Sequence, residues 1–268
     1  MKITRVAIAG LGSIGRVVAR RLAEGIPGVS LAAIAAGDRT KAEAWLEREH
    51  LRCPIVALND LPAHADLAVE CAPPALLDAI CRPMLQAGKK VMVLSAGVLL
   101  AHDDLVDLAK KQGGQIIVPT GALLGFDAVS AAAEGKINSV RMITRKPPKG
   151  LAGAPYLVAQ GISLDGLREA KRVFSGNARA AAAGFPENVN VVAALSLASI
   201  GPDRVTIDIW ADPSLNRNCH TIEVDADSAR FSLSIENVPS DNPKTGRITA
   251  LSVIAALRKL HAPMRVGT

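Results

Sequence analysis

Apolar residues form two kinds of pattern along the first 120 residues of the chain. Short, continuously apolar runs predict buried strands, and apolar residues spaced three or four positions apart predict helices. We therefore predict alternating elements, with strands at 3–9, 29–36, 66–71, 90–95 and 115–118 and helices at 13–24, 41–49, 76–87 and 103–112. This alternation is typical of βαβ units and a parallel sheet, and the continuously apolar strands fit burial on both faces.

The pattern changes after residue 120. Strands in which apolar and polar residues alternate are predicted at 140–144, 204–210, 220–224 and 230–235. Ala-rich helices are predicted at 123–134 and 187–199, and a long helix within 242–260 ends the pattern. Several consecutive strands favour a mixed or antiparallel sheet in a second α/β domain.

A glycine-rich turn joins the first predicted strand to the first predicted helix. Gly10, Gly12 and Gly15 form a GxGxxG pattern, with Ser13 and Ile14 opening the helix. In a dinucleotide site the first glycine makes the tight turn, the second admits the pyrophosphate and the third lets helix and strand pack closely. The pyrophosphate then lies on the helix N-terminus, whose N–H groups favour an anion. The context predicts binding of NAD or NADP.

The choice between NAD and NADP stays open in the sequence. Asp38 lies 23 residues past Gly15, where an acidic residue is expected to bind the ribose hydroxyls of NAD. Arg39 follows it directly and suits the extra phosphate of NADP.

Small residues follow three later strands of the predicted parallel sheet. Ligands of such sheets bind at the carboxyl ends of the strands, so these residues are candidates for cofactor contact. Ordinary strand–helix turns explain the same residues equally well. The candidates are Ala72 and Pro73, Ser95 and Ala96, and Gly121 and Ala122.

These patterns predict an α/β protein with three parts. Residues 1–120 form a dinucleotide-binding domain of the Rossmann type, with a doubly wound parallel sheet. Residues 121–240 form a substrate-binding, catalytic α/β domain, and residues 241–268 form a C-terminal helix that packs back on the first domain.

Composition and charge narrow the classes of function. Apolar residues make up 49% of the chain, which is typical of a globular protein. The net charge is +6, but the Lys and Arg residues are scattered rather than grouped into a basic stripe, so no nucleic-acid partner is expected. No apolar run is long enough to cross a membrane. The four cysteines form no CxxC pair, which favours a cytoplasmic protein with reduced thiols and no metal site.

Polar residues of the second part supply the remaining candidates. His220 is the best candidate for a general acid or base, although its position alone favours a surface or hydrogen-bonding histidine. Asn188 suits a helix cap or a substrate contact, and Asn190 suits a contact with the nicotinamide carboxamide. Lys244 and Thr245 lie in a polar segment that either forms only a loop and cap or binds a carboxylate.

Taken together, these segments resemble the L-aspartate dehydrogenase family along most of the chain. The glycine fingerprint is shared by many dehydrogenases, whereas the Pro-Glu-Asn-Val-Asn segment at 186–190 and the Arg-Asn-Cys-His segment at 217–220 are much more specific. The other matching segments are 95–97, 119–122, 211–213 and 236–245.

The resemblance implies a function and roles for individual residues. It implies that His220 is catalytic, and that Asn190 and the stretch from Gly121 to Leu124 contact the nicotinamide cofactor. The family usually has a small residue at the position of Leu124, so that contact would come from the backbone. The implied reaction is the NAD(P)-dependent oxidative deamination of L-aspartate, usually by a homodimer.

Two other functions remain open at this point. One is a different NAD(P)-dependent reductase of similar two-domain build, acting on dihydrodipicolinate or an aspartate-derived aldehyde. The other is a protein that binds NAD(H) as a sensor without catalysis.

Overall fold

The computed structural model describes residues 3–186, 189–240 and 246–267. Two compact units divide the chain. The first comprises Met1–Pro119 with Ala250–Arg265, and the second comprises Thr120–Thr249 with Val266–Thr268.

The first unit alternates strands and helices, as the apolar pattern predicts. Its elements are β1 (Thr4–Ala9), α1 (Ser13–Glu24), β2 (Val29–Ala35), α2 (Arg39–Arg48), α3 (Leu61–His64), β3 (Leu67–Glu70), α4 (Leu77–Gln86), β4 (Lys90–Val93), α5 (Ala96–Leu99), α6 (Asp103–Gln112) and β5 (Gln115–Ile117).

The second unit contains longer strands and short helices. Its elements are α7 (Phe126–Ala133), β6 (Ile137–Lys146), α8 (Pro155–Ala159), β7 (Lys171–Asn177), α9 (Ala178–Gly184), α10 (Asn190–Leu197), β8 (Thr206–Ala211), β9 (Asn218–Ala226) and β10 (Arg230–Asn237). The last helix, α11 (Arg247–Lys259), crosses the boundary, and most of it belongs to the first unit.

The sheet of the first unit is parallel throughout, with strand order β2-β1-β3-β4-β5. The order reverses between β1 and β3, because the chain leaves β2 at one edge and returns to the far side of β1. In open α/β sheets, ligands bind in the crevice at the carboxyl ends of the strands where the order reverses. The predicted α/β fold with a Rossmann-type parallel sheet is confirmed.

Alternate residues of β1 pack into two cores on opposite faces of the sheet. Val6 and Ile8 pack into a core shared with helices α1 and α11. Ala7 and Ala9 pack into a second core, shared with α4 and α6. All four side chains are fully buried, which explains why the strand is apolar without alternation.

The sheet of the second unit is mixed, with strand order β10-β9-β6-β8-β7. Strands β6 and β8 are parallel, and the other neighbours are antiparallel. One face carries the unit's apolar core, and alternate positions of β6 bring Val140, Met142, Thr144 and Lys146 to that face, where all four are buried. This inner face therefore carries buried polar side chains, Thr144 and Lys146, beside the apolar core.

Several boundaries in the second unit differ from the predicted ones. Helix α7 begins at Phe126 rather than at residue 123, because Gly121 and Gly125 adopt left-handed conformations that keep the preceding segment in turns. Helix α10 spans Asn190–Leu197, and residues 187 and 188 of the predicted helix lie outside the described residues. Strand β7 was not predicted, since its residues carry a polar, charged start and a glycine.

No helix among the described residues has the length and apolar character needed to cross a membrane.

Candidate active site

The turn after β1 is built from glycines for steric reasons. Gly10 has φ +106°, a conformation that side chains with a Cβ rarely adopt, and an added Cβ would collide with the carbonyl of Cys71 at the end of β3. Gly15 is buried in α1, and a Cβ there would collide with the carbonyl of Gly10. Both glycines therefore let the turn and α1 pack directly against the neighbouring strands.

Gly12 differs from the other two glycines of the turn. It is the N-cap of α1, with φ −76° and ψ −164°, a conformation open to any residue. A Cβ added to it would meet no atom within 4 Å. No contact with a described residue accounts for a glycine at this position, whereas a ligand that approaches the N-terminus of α1 closely would account for it.

A cavity of about 390 Å³ adjoins this turn in the first unit. The cavity is lined by residues that follow three strands. They include Gly10 and Gly12 after β1, Gly37 after β2, and the predicted Ala72 and Pro73 after β3. The structure thus brings the two predicted groups from β1 and β3 together at the strand-order reversal. Ser13 and Ile14, in the first turn of α1, are half-buried.

Asp38 and Arg39 lie at the start of α2, and each makes a local contact. Asp38 caps the helix, because its Oδ1 accepts a hydrogen bond of 2.9 Å from the Lys41 backbone N–H. Its Oδ2 also lies 3.0 Å from Lys41 Nζ, and these contacts lower the pKa of the carboxyl group. Arg39 forms an exposed ion pair with Glu43, with 2.9 Å between Nε and Oε1. Neither contact selects between NAD and NADP.

A buried carboxylate that the sequence analysis missed holds the segment after β4. Glu70, 1% exposed, ends β3, and its Oε2 accepts hydrogen bonds from the backbone N–H groups of Leu94 (3.0 Å) and Ser95 (2.9 Å). Ser95 Oγ donates to Oε1 at 3.0 Å. Burial raises the pKa of Glu70, while the donated hydrogen bonds oppose that shift. Glu70, from the neighbouring strand, therefore fixes the candidate Ser95, and the candidate Ala96 follows it at the start of α5.

His220 lies on the inner face of the second sheet and is buried, with 3% of its surface exposed. Of the two alternatives that its position favoured, a surface or a hydrogen-bonding histidine, the structure shows the second, because alternation along β9 turns this position toward the core. Its Nδ1 lies 3.1 Å from Oγ1 of Thr144, directly across from it on β6. Burial, and then the positive charge of Lys146, lower the pKa of His220 to about 3. The imidazole is therefore neutral at pH 7.

More polar side chains share this inner face with His220. Lys146, Asn218 and Asn237 are each less than 10% exposed and end or begin strands of the second sheet. Burial lowers the pKa of Lys146 to about 8. Lys146 was not predicted as a site residue, although a lysine at an inward position of an alternating strand is a signal for one.

The loop before α7 carries three predicted cofactor contacts. Gly121, Ala122 and Leu124 are half-buried, and Leu124 packs against the core of the second unit. The amide of Asn237 donates from Nδ2 to the carbonyl of Ala122 at 2.8 Å. That bond ties the loop to the end of β10, next in the sheet to the strand that carries His220.

The remaining candidates fall partly outside the described residues. Asn190 begins α10 and is half-buried. Asn188, Lys244 and Thr245 lie outside the described residues. In the described ranges, no three His, Cys, Asp or Glu side chains are grouped so that they could hold a metal ion.

Family models match both units of the chain. Residues 127–260 match the family described as "Aspartate dehydrogenase, C-terminal". Residues 10–119 match the family described as "Homoserine dehydrogenase, NAD binding domain".

Curated relatives match nearly the whole chain. L-aspartate dehydrogenase 3 of Bordetella bronchiseptica is 54% identical over 264 residues, covering 98% of this chain and 97% of that protein. L-aspartate dehydrogenase of Bradyrhizobium diazoefficiens is 56% identical, covering 98% of this chain and 94% of that protein. The crystal structure of aspartate dehydrogenase from Thermotoga maritima has the same fold, with a TM-score of 0.73 at 24% identity over 98% of this chain and 99% of that chain. The family model and these identities show that the chain belongs to the aspartate dehydrogenase family.

Proposed function

We propose that this protein catalyses the NAD(P)-dependent oxidative deamination of L-aspartate. One observation carries the proposal: the chain is 54% and 56% identical to L-aspartate dehydrogenases along 98% of its length. The buried, neutral His220 supports it, because a proton acceptor is what this reaction requires of the protein.

The first unit is assigned to the cofactor. The cavity beside the glycine turn and the open space at Gly12 fit a pyrophosphate at the N-terminus of α1. Gly10, Gly12, Ser13, Ile14 and Gly15 would hold it. Further contacts with the cofactor are proposed from both units. They are Asp38 or Arg39, Ala72 and Pro73 after β3, Ser95 and Ala96 after β4, and Gly121, Ala122, Leu124 and Asn190. When bound, the nicotinamide supplies the oxidising ring that accepts a hydride from Cα of the substrate.

His220 is assigned the proton transfer. With Nδ1–H donating to Thr144 Oγ1, the lone pair of Nε2 is left to accept a proton from the substrate nitrogen. The nitrogen lone pair then forms the C=N bond as the Cα–H bond breaks, and both electrons of that bond leave with the hydride. The first product is iminoaspartate.

Two fates are open to the imine. Addition of water to its carbon and loss of the nitrogen give oxaloacetate and ammonia. Release of the intact imine would instead feed NAD biosynthesis. His220 is also placed to accept a proton from the attacking water.

The second unit is assigned to the substrate, with Asn188, Lys244 and Thr245 as proposed contacts for its polar groups. We also assign the protein to the cytoplasm as a homodimer. The four cysteines are free, which fits a reducing compartment.

The test is a panel of L-amino acids offered with NAD⁺ or NADP⁺, with the reduced cofactor followed by absorbance and oxaloacetate assayed directly. The proposal expects turnover with L-aspartate and much less with L-asparagine, L-glutamate or L-alanine. Bound cofactor without turnover of any amino acid would contradict it. The panel would then move to the reduction of dihydrodipicolinate and aspartate-derived aldehydes, and inactivity there would leave NAD(H) sensing.

A further inference from the structure

Lys146 and His220 share one face of the sheet in the second unit. The β6–β9 register places Thr144 directly opposite His220, and Lys146 lies two residues further along β6. Residues two positions apart on a strand project from the same face and lie roughly 6.6 Å apart. The lysine thus lies on the same face as the imidazole, displaced by one repeat of the strand.

Both side chains are buried, which strengthens the effect of one on the other. Lys146 is 4% exposed and His220 is 3% exposed. Among the buried residues of the described chain, Lys146 is the one lysine or arginine. A charge acts far more strongly on its neighbours when water is excluded. With a pKa lowered to about 8, Lys146 is still largely cationic at pH 7.

Among the described neighbours of His220 on β6, β9 and β10, the charged groups other than Lys146 lie on the opposite face of the sheet. The neighbours of His220 on the inner face are Thr144 and Lys146 on β6, Asn218 and Ile222 on β9, and Ile235 and Asn237 on β10. Strand alternation turns the adjacent titratable and charged residues Arg145, Cys219 and Glu236 to the outer face. Lys146 is therefore the charged group that faces His220 among these positions.

The reaction creates a need for such a charge. L-aspartate carries two carboxylates, and a carboxylate within about 4–6 Å of an imidazole stabilises its protonated form. A protonated His220 cannot accept the proton of the substrate nitrogen. A positive charge close to the imidazole would offset these two negative charges while the substrate is bound.

We propose that Lys146 is a positioning residue that acts through His220: its positive charge keeps the imidazole neutral and proton-accepting when the dicarboxylate substrate is bound. The proposal rests on the proposed function, since the substrate charge comes from L-aspartate.

The kinetic test compares the pH profiles of kcat and kcat/KM for wild type and Lys146→Met. The profile of kcat reports the enzyme–substrate complex, and that of kcat/KM reports the free enzyme. We expect the acid limb of kcat to move up by about one pH unit or more in Lys146→Met, so that kcat at a given pH on the falling part of the limb drops about tenfold relative to wild type. The acid limb of kcat/KM is expected to move less.

Two further variants separate charge from packing. Lys146→Arg keeps the charge and is expected to restore the acid limb of wild type. Lys149→Met removes a nearby exposed lysine and is expected to leave both profiles unchanged. A KM for L-aspartate raised by 100-fold with an unmoved acid limb would overturn the proposal in favour of direct substrate binding. Loss of activity by the same factor at every pH would also overturn it.

A second readout needs no turnover. In full-length protein labelled at histidine Cε1, the His220 signal is assigned from its absence in His220→Gln. Its chemical shift is expected to step near pH 8 as Lys146 loses its proton, and this step should vanish in Lys146→Met and in Lys146→Arg. A step that persists in Lys146→Met would show that another group acts on His220 and would contradict the proposal. If wild type fails to oxidise L-aspartate while this step behaves as expected, the proposed function is wrong, whereas the electrostatic effect of Lys146 on His220 is supported.

Discussion

Thr144 and His220 lie opposite each other on antiparallel strands, with Oγ1 of the threonine 3.1 Å from Nδ1 of the histidine. Both are buried, at 2% and 3% exposure. A hydroxyl at this point fixes the orientation of the ring and, when it accepts from Nδ1–H, the tautomer whose Nε2 accepts a proton. Thr144 on β6 thus orients the imidazole of His220 on β9.

Replacing Thr144 with valine should therefore impair catalysis without rebuilding the site. Thr144→Val keeps the shape of the side chain but leaves Nδ1 without its partner, and we expect kcat with L-aspartate to fall roughly tenfold and the free energy of unfolding to fall by about 1–3 kcal/mol. Steady-state kinetics and urea unfolding measure the two effects.

Two control variants test whether the hydroxyl of Thr144 is responsible. Thr144→Ser should recover most of the activity. Thr221→Val, adjacent to His220 but hydrogen-bonded on the outer face to Ser234, should change kcat little. Equal losses in both valine variants would argue against the orienting role.

The glycine turn offers a matched pair of substitutions with opposite expected effects. Gly15→Ala places a methyl group against the Gly10 carbonyl, and such overpacking should lower the free energy of unfolding by about 1–3 kcal/mol. Gly12→Ala meets open space and an ordinary backbone conformation, so stability should change by no more than about 0.5 kcal/mol. Gly12→Ala should also weaken the binding of NAD⁺ about tenfold or more, which is a loss of about 1.4 kcal/mol in binding free energy. Calorimetric titration together with thermal unfolding measures both quantities, and tight NAD⁺ binding by Gly12→Ala would place the pyrophosphate elsewhere.

Glu70 should be required for the shape of the segment after β4. Its oxygens accept from two backbone N–H groups and one hydroxyl, and an amide in its place cannot accept from all three. We expect Glu70→Gln to lower the free energy of unfolding by about 1–3 kcal/mol, because the amide nitrogen cannot accept the hydrogen bond from Ser95 Oγ, and to weaken cofactor binding. Glu47→Gln, on an exposed position of α2, is the control. Unchanged stability in Glu70→Gln would mean that the segment is held by other contacts.

The buried histidine should also make the fold sensitive to acid. The pKa of His220 is about 3 in the folded protein and lies near 6.5 in the unfolded chain, so between these values the unfolded chain binds the extra proton. The free energy of unfolding therefore falls as the pH drops from 6.5 toward 3, by at most about 1.4 kcal/mol per pH unit from this group. His220→Gln should flatten this part of the curve, measured by urea unfolding from pH 7 to pH 4. Curves of equal slope for the two proteins would contradict the burial of a neutral imidazole.

The parallel sheet was predictable because its strands are apolar on both faces and are separated by amphipathic helices. The steric roles of Gly10 and Gly15 were predictable too, since a tight turn and a close helix–strand contact require glycine at those positions. Strand β7 was not, because a strand at the edge of a sheet can be polar, as its start at Lys171 and Arg172 is.

The polar groups that act through other residues were the hardest to predict. Glu70 and Lys146 each end a strand. Alternation along β6 is a signal that Lys146 is buried, whereas nothing in the residues next to Glu70 indicates its burial. Their partners come from distant positions: Ser95 lies 25 residues from Glu70, and His220 lies on another strand from Lys146. Only the pairing of strands shows which buried polar group faces which.

The most direct measurement of the central claim is the turnover of L-aspartate by His220→Ala beside a titration of NAD⁺ into the same protein. We predict that kcat falls by roughly 10²–10⁴ while the dissociation constant of the cofactor stays that of wild type, because the imidazole transfers a proton and does not hold the dinucleotide. A variant that keeps near-normal turnover with L-aspartate would contradict the account and move the proton transfer to another group.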